Sequence, residues 1–361
     1  MNPFLFGYDF YYLWAVGALL QQGENPYDLA LLQQQLDSIG WPATEHPQRF
    51  THPVNSLWLY WIFALLPFTV SLALWSVVSM LVVVMCACVL RRVLQLQPTV
   101  LTPVVALIAC VFPATLGNLV WGQVNAVLLV GLTFFALHVR RGRYFEAGLC
   151  LSLLSLKPHL FIPFMVVIAV GELRARRLGV PLGTGTGLAL QLLASYLVAP
   201  QGLAWYIASL DGILSESLHL CGATVGQLAE CSLTWTWIRP SLLVTGSVSA
   251  LWLVRRYGYS LRVLLGLIVP LSVCVAPYAW MHSFIVLIPA VLLLLERAGD
   301  SLSERAARYL AVFFATVSMP LIVTVRYQVA WVLLSWVLFG TTAIVLRQSE
   351  QGVENDLNER V

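Results

Sequence analysis

The sequence predicts an all-α integral membrane protein whose chain crosses a bilayer about eleven times. Three observations carry that expectation. Of 361 residues, 59% are hydrophobic and 10% charged, and mean hydropathy is +0.82; a soluble domain carries about 25% charged residues. The apolar runs are long, and in hydrocarbon each backbone N–H and C=O needs a partner from its own segment, which a helix supplies. Arginines cluster at alternate connections: Arg91 and Arg92; Arg140, Arg141 and Arg143; Arg174, Arg176 and Arg177; Arg255, Arg256 and Arg262; Arg297, Arg305 and Arg308; then Arg347. The positive-inside rule makes those connections cytoplasmic and turns the other set outward.

Taken in order, residues 1–52 form a first outer loop, since they carry no long apolar run. The start lacks a basic stretch followed by an apolar run, so no cleavable leader is expected. Crossings are expected near 69–90, 101–115, 119–138, 144–156, 158–170, 181–199, 240–254, 261–276, 281–295, 309–325 and 328–346. Several are shorter than the roughly 20 residues a span prefers, most clearly 144–156 and 158–170. Those two are separated by the Lys157-Pro158 break, and short helices are tolerated where they line a protein-filled or wet cavity. The Trp-rich run 54–67 is expected to lie at the interface or re-enter, because a crossing there would reverse the arginine pattern. Residues 201–239 form a second outer loop with an amphipathic piece, GLAWYIASLDGILSES. The whole of 1–346 reads as a single polytopic domain, followed by a polar cytoplasmic tail over 347–361. Cys86, Cys88, Cys110, Cys150 and Cys274 lie in apolar runs as packing residues, while Cys221 and Cys231 share one polar loop and pair only if it faces an oxidising compartment.

The residues that can carry chemistry gather on the outward set. Asp9 sits among Tyr8, Phe10, Tyr11, Tyr12 and Trp14. It reads either as a helix cap or as a general base whose acidity the aromatics tune. Asn25-Pro26-Tyr27-Asp28 is a turn that starts the helix after it. In WGQVN, the amides of Gln123 and Asn125 lie beside Gly122; they suit sugar hydroxyls or helix–helix hydrogen bonds equally. Lys157 is the chain's one lysine, in LKPH. A lysine can snorkel from a helix end, but an ammonium beside a helix start at Pro158 makes a phosphate site. His159 adjoins it. Tyr278 and His282 stand in PYAWMHS, where the histidine either packs or helps position a base or phosphate. Arg326 is a further outward cation for phosphate. His46, Arg49 and His52 have no zinc spacing, so no metal is expected.

Five stretches together resemble glycosyltransferase family 87, polytopic enzymes of the GT-C type: GYDFYYLWAVGALLQQGENPYD, HPVNSLWLYWIFALLPF, GQVN, RGRYFEAGLCLSLLSLKPHL and PYAWMH. The family includes polyprenyl-phosphate-mannose-dependent mannosyltransferases of phosphatidylinositol mannoside synthesis. The resemblance spans about residues 7–295 and implies a GT-C-like bundle with outer-face loops. Position by position it implies a catalytic Asp9, the Lys-Pro motif at Lys157 and Pro158 for donor phosphate, and a catalytic His282; beside these, the residues themselves lead us to expect His159 and Arg326 at the donor phosphate and Tyr8, Tyr12, Gln123, Asn125 and Tyr278 at the sugar or acceptor. The implied enzyme is an inverting hexosyltransferase, mannose favoured, of the plasma (inner) membrane, multi-pass, with its active site on the extracytoplasmic face. Its partners are then a polyprenyl-phosphate-hexose donor, a glycolipid or glycan acceptor and the bilayer. Nucleic acid is not among them, and the lipid-phosphate sugar is a co-substrate rather than a cofactor. The chain departs from the family twice: only 1–6 precede the acidic motif, where relatives carry a membrane helix, and Ser283 follows His282 where they often have an acid. The rival reading is a non-catalytic transporter or flippase of lipid-linked sugars, which would use the same cavity and the same lysine.

Overall fold

The structure is a computed structural model, and it describes residues 6–41, 49–96, 102–219 and 237–296. Every regular element among them is helical. The two expected crossings at 309–325 and 328–346, the tail, Arg326, His46, and Cys221 with Cys231 lie outside the described residues. The chain divides into two compact units.

The first unit holds the N-terminal helices and most of the outward motifs. Gly7, at φ 81°, opens α1 (Tyr8–Gln22), and Gly23, at φ 77°, closes it. Asp28 caps α2 (Leu29–Ser38): its carboxylate accepts from the N–H groups of Ala30 and Leu31. Asn25 Oδ1 accepts from Tyr27 N–H and makes the turn between the two helices. The run 54–67 forms a 3-10 turn (Val54–Ser56) and the short α3 (Leu57–Phe63). Seven residues in α3 are too few to cross a bilayer. Helix α1 lies against it so closely that a Cβ on Gly17 would stand 2.0 Å from the Tyr60 carbonyl oxygen.

Helix α4 (Phe68–Val93) is long and apolar enough to cross a membrane, and it ends on Arg91 and Arg92. It is followed by α5 (Thr102–Val111) and α6 (Pro113–Trp121), bent by 51°. Pro113 cannot donate an N–H, so the helix breaks before it. The expected break between crossings at 115 and 119 falls inside α6, which runs on to Trp121, and α7 (Asn125–Arg140) starts after the Gly122 turn.

Helix α8 (Tyr144–Leu151) tightens into a 3-10 stretch, Ser152–Leu156, that delivers Lys157. Helix α10 (Gly179–Val198) packs along it through Gly179, Gly183 and Gly187, four residues apart. A Cβ on Gly183 would sit 2.0 Å from the Phe145 carbonyl oxygen, and one on Gly187 would sit 2.3 Å from Ser152 Oγ. Small residues at this spacing are how apolar helices approach in hydrocarbon, where no hydrophobic force drives them together. A buried amide–hydroxyl network then fixes the register. Asn55 Nδ2 donates to Ser155 Oγ (2.8 Å) and to Gln191 Oε1 (2.9 Å), and Gln191 Nε2 donates to Ser152 Oγ (2.9 Å). Past a 100° bend, α11 (Gly202–His219) contains the amphipathic piece of the second outer loop.

In the second unit α9 (Ile162–Arg174) packs against the helix Ile238–Tyr257. Buried Glu172 pairs with Arg177 at 3.0 Å and accepts from Tyr259 Oη at 3.2 Å. The helix over Leu261–Cys274 widens to a π-turn at Leu264–Ile268, just before Pro270. A proline there has no N–H to continue the regular ladder. Met281–Leu287 is a 3-10 helix that leads into Ile288–Glu296.

By length and apolarity, one helix among the described residues can cross a membrane unaided, or up to three if each bent pair is one span. The other apolar helices are shorter, including Asn125–Arg140 and Leu261–Cys274. The chain is all-α with apolar helices suited to membrane association; the expected count of about eleven crossings has no counterpart in helix length alone.

Candidate active site

The site in the first unit is assembled by two glycines. Gly7 N–H donates to the Val120 carbonyl at 2.7 Å. Gly122, at φ 71°, faces the start of α1, and a Cβ there would meet Phe10 Cβ at 2.6 Å. This close approach brings the first turn of α1 onto the loop between α6 and α7. Asp9 is consequently not a cap of its own helix. Its Oδ2 accepts from Gln123 Nε2 at 2.5 Å. Gln123 Oε1 in turn accepts from Lys157 Nζ at 2.8 Å. One amide thus bridges an acid and an ammonium that lie 148 positions apart in the chain. Trp75 Nε1 donates to the Gln123 backbone carbonyl at 3.3 Å and holds the loop from the α4 side.

Aromatic rings surround this chain of hydrogen bonds. The Tyr8 ring packs edge-on against Trp41, with centroids 4.3 Å apart, and against Trp121 at 5.2 Å. Tyr12 meets Trp41 at 5.2 Å, and Tyr11 meets it at 5.1 Å. Tyr8 and Asp9 keep part of their surface exposed. Burial pushes the Asp9 carboxyl up to about 6, against the Gln123 N–H and the Lys157 charge, which both favour the anion. Lys157 is only 8% exposed. Burial brings its ammonium down to about 8, with the Asp9 charge acting the other way. Near neutral pH the pair is therefore a carboxylate able to take a proton and an ammonium able to meet an anion.

The helix expected to start at Pro158 is instead a three-residue 3-10 turn, Pro158–Leu160, and α9 begins at Ile162. A single tight turn has almost no macrodipole, so the positive charge at this point is that of Lys157 itself. Gln123 and Asn125 are buried. The Gln123 amide spends its oxygen and one N–H inside the protein, and Asn125 opens α7.

His52, which has no zinc spacing, belongs with this group. Its ring stacks on Phe50 with centroids 5.4 Å apart, its Nδ1 meets Tyr60 Oη at 2.5 Å, and its carbonyl accepts from Tyr27 Oη at 3.1 Å. Burial first, and then the Lys157 charge, hold the imidazole down to about 3, so it is neutral. The available sequence signal was an HPVN turn placed directly before an aromatic helix.

His159, Tyr278 and His282 belong to the second unit. The His159 and Tyr278 rings stack at 3.8 Å, with 25° between their planes. His282 is 4% exposed, in the first turn of its 3-10 helix. Ser283, which follows His282, accepts from Trp280 N–H at 3.5 Å and caps that turn.

A half-buried carboxylate and a buried ammonium are thus joined by one amide beside a cluster of aromatic rings in an apolar helical chain. The profile of glycosyltransferase family 87 matches residues 50–320, three quarters of the chain, and the protein belongs to that family. Asp9 lies ahead of the matched stretch, whereas Gln123, Lys157 and His282 lie within it. Searches of curated proteins and of solved structures returned no match. The chain is accordingly a membrane-associated glycosyltransferase that acts on a sugar donor and an acceptor.

Proposed function

We propose that the protein transfers a hexose, mannose favoured, from a polyprenyl-phosphate donor to a hydroxyl of a lipid or glycan acceptor at the outer face of the plasma membrane. The observation that carries the reading is the Asp9–Gln123–Lys157 hydrogen-bond chain. Asp9 takes the proton of the acceptor hydroxyl as its oxygen bonds to C1 of the sugar. The bond from C1 to the phosphate oxygen breaks on the opposite face, and the anomeric configuration inverts. The leaving prenyl phosphate gains one negative charge, which Lys157 offsets. That leaving group is an anion already, so the reaction needs no general acid. Gln123 holds base and cation at a fixed separation, and Tyr8 and Tyr12 offer faces for the sugar or acceptor. His159, Tyr278, His282 and Arg326 are proposed to complete the donor and acceptor contacts.

A groove of about 320 Å³, lined by Val54, Leu192, Leu193, Tyr196, Ala199, Pro200 and Leu203, supports a lipid-tailed donor. Its lining is almost wholly apolar, and Val54 is two residues from His52. The arginine pattern supports the outward placing of Asp9 and Lys157. The test is to give the purified protein a radiolabelled polyprenyl-phosphate hexose in detergent with a short glycan or glycolipid acceptor. The reading expects free prenyl phosphate and labelled acceptor in equal amounts. Transfer of intact donor across liposomes without its consumption would select a transporter instead.

A further inference from the structure

We infer that His52 is a further anion-binding residue of this site, donating its Nε2–H to the same phosphate that Lys157 attracts. The inference rests on the reading of Lys157 as the phosphate-binding cation, and it adds a neutral donor to that cation.

Three observations on the ring lead there. First, the imidazole is locked. Phe50 stacks on one face with 6° between the planes, Tyr60 meets Nδ1, and Tyr27 Oη holds the backbone carbonyl. A histidine that merely fills space does not need both its ring nitrogen and its carbonyl held by separate tyrosines. Second, the Tyr60 contact fits one tautomer of the ring. Tyr60 is 0% exposed, so its hydroxyl proton must be accepted by the protein. Nδ1 lies 2.5 Å from that hydroxyl, within reach to accept its proton. A neutral ring that accepts at Nδ1 carries its proton on Nε2. Third, the turn that carries His52 is tied to the segment that carries Lys157, since Asn55 Nδ2 donates to Ser155 Oγ at 2.8 Å, and the ammonium acts on the imidazole electrostatically. It also stands two residues from Val54 at the rim of the apolar groove.

The chemistry suits a phosphate. An ammonium alone fixes an anion loosely, as a point charge. A neutral N–H beside it adds direction without the repulsion that a second buried cation would bring. The Tyr60 hydroxyl is the device that keeps the N–H on the ring nitrogen it does not itself hold. Tyr60 thus acts through His52 as a positioning residue.

The experiment uses the full chain in detergent with two probes, geranylgeranyl monophosphate and the alcohol geranylgeraniol. His52→Ala is expected to weaken the monophosphate about tenfold or more, the usual scale for a lost hydrogen bond to a charged group, and to leave the alcohol unchanged. His52→Gln, which returns an N–H near the Nε2 position, is expected to restore the monophosphate to within about threefold. Tyr60→Phe keeps the packing volume and is expected to weaken the monophosphate severalfold. Equal losses for both probes, or no rescue by glutamine, would make His52 a packing residue and overturn the inference. Wild-type protein that binds both probes equally would overturn it as well. Failure of the glycosyl-transfer reading appears separately, as phosphate-selective binding that depends on His52 in a protein that consumes no donor.

Discussion

Asp9 and Lys157 each hold a charge that burial opposes, and the amide of Gln123 lowers the cost to both. Asp9 must be ionised to act as base, so activity should rise as pH climbs through about 6. Lys157 must be protonated, so activity should fall as pH passes about 8. The expected kcat/KM profile is a bell with those limbs. The Gln123 N–H holds the Asp9 carboxyl down. Gln123→Leu should therefore move the acidic limb to higher pH, and an unmoved limb would show that the two groups are not coupled in solution. Asp9 and Lys157 were legible in the sequence because charge is so scarce in an apolar chain: a lone lysine and an acid among tyrosines have few structural uses. The bridge was not legible, because it joins positions 9, 123 and 157, and local pattern carries no such information. His52 escaped for a related reason, since its partners at Phe50, Tyr60 and Tyr27 satisfy the ring without any recognisable motif.

At the level of elements, the site depends on where α1 meets the α6–α7 turn. Gly122→Ala adds a Cβ at 2.6 Å from Phe10 Cβ and at a positive φ. The start of α1 must retreat, and a displacement of about 1 Å at a reacting group typically costs roughly 10²-fold in rate. Gly142 also has a positive φ, 70°, but nothing within 4 Å of its Cβ position. Gly142→Ala should then lower stability slightly and leave turnover close to wild type, while Gly122→Ala should lose about 10²-fold with helix content unchanged by circular dichroism. Equal effects of the two variants would mean that backbone strain, and not the docking of α1, explains the loss. The broken helices around Lys157 were legible from Pro158 and from the short runs beside it. The 100° bend between α10 and α11 was not, because apolarity and length say nothing of direction. The glycines at 179, 183 and 187 carried a packing signal at four-residue spacing, which became meaningful once α8 was seen lying against them.

For the whole molecule, the arginine clusters set the proposed orientation, and that orientation places Asp9, the proposed base, outside. A reporter enzyme active only beyond the membrane, fused after Pro200, should be active; the same reporter fused after Gly142 should be silent. The opposite pattern would turn the site to the cytoplasm. The all-α class followed directly from composition, and the family followed from the order of five short motifs. The number of crossings is harder to read from either source, because helices shortened by proline, by 3-10 turns or by a π-turn fall below the length that marks a span. The account stands or falls on Asp9. Above pH 6 its ionised form is a cost to folding: a carboxyl raised above its unfolded value contributes stability below about 3.8, and that contribution is lost as pH rises through about 6. Asp9→Asn should therefore melt no lower than wild type at pH 7.5. The decisive measurement is the rate of hexose transfer from a polyprenyl-phosphate donor by folded Asp9→Asn protein at that pH. The account predicts a fall of at least about 10³-fold; transfer within tenfold of wild type would show that Asp9 is not the base.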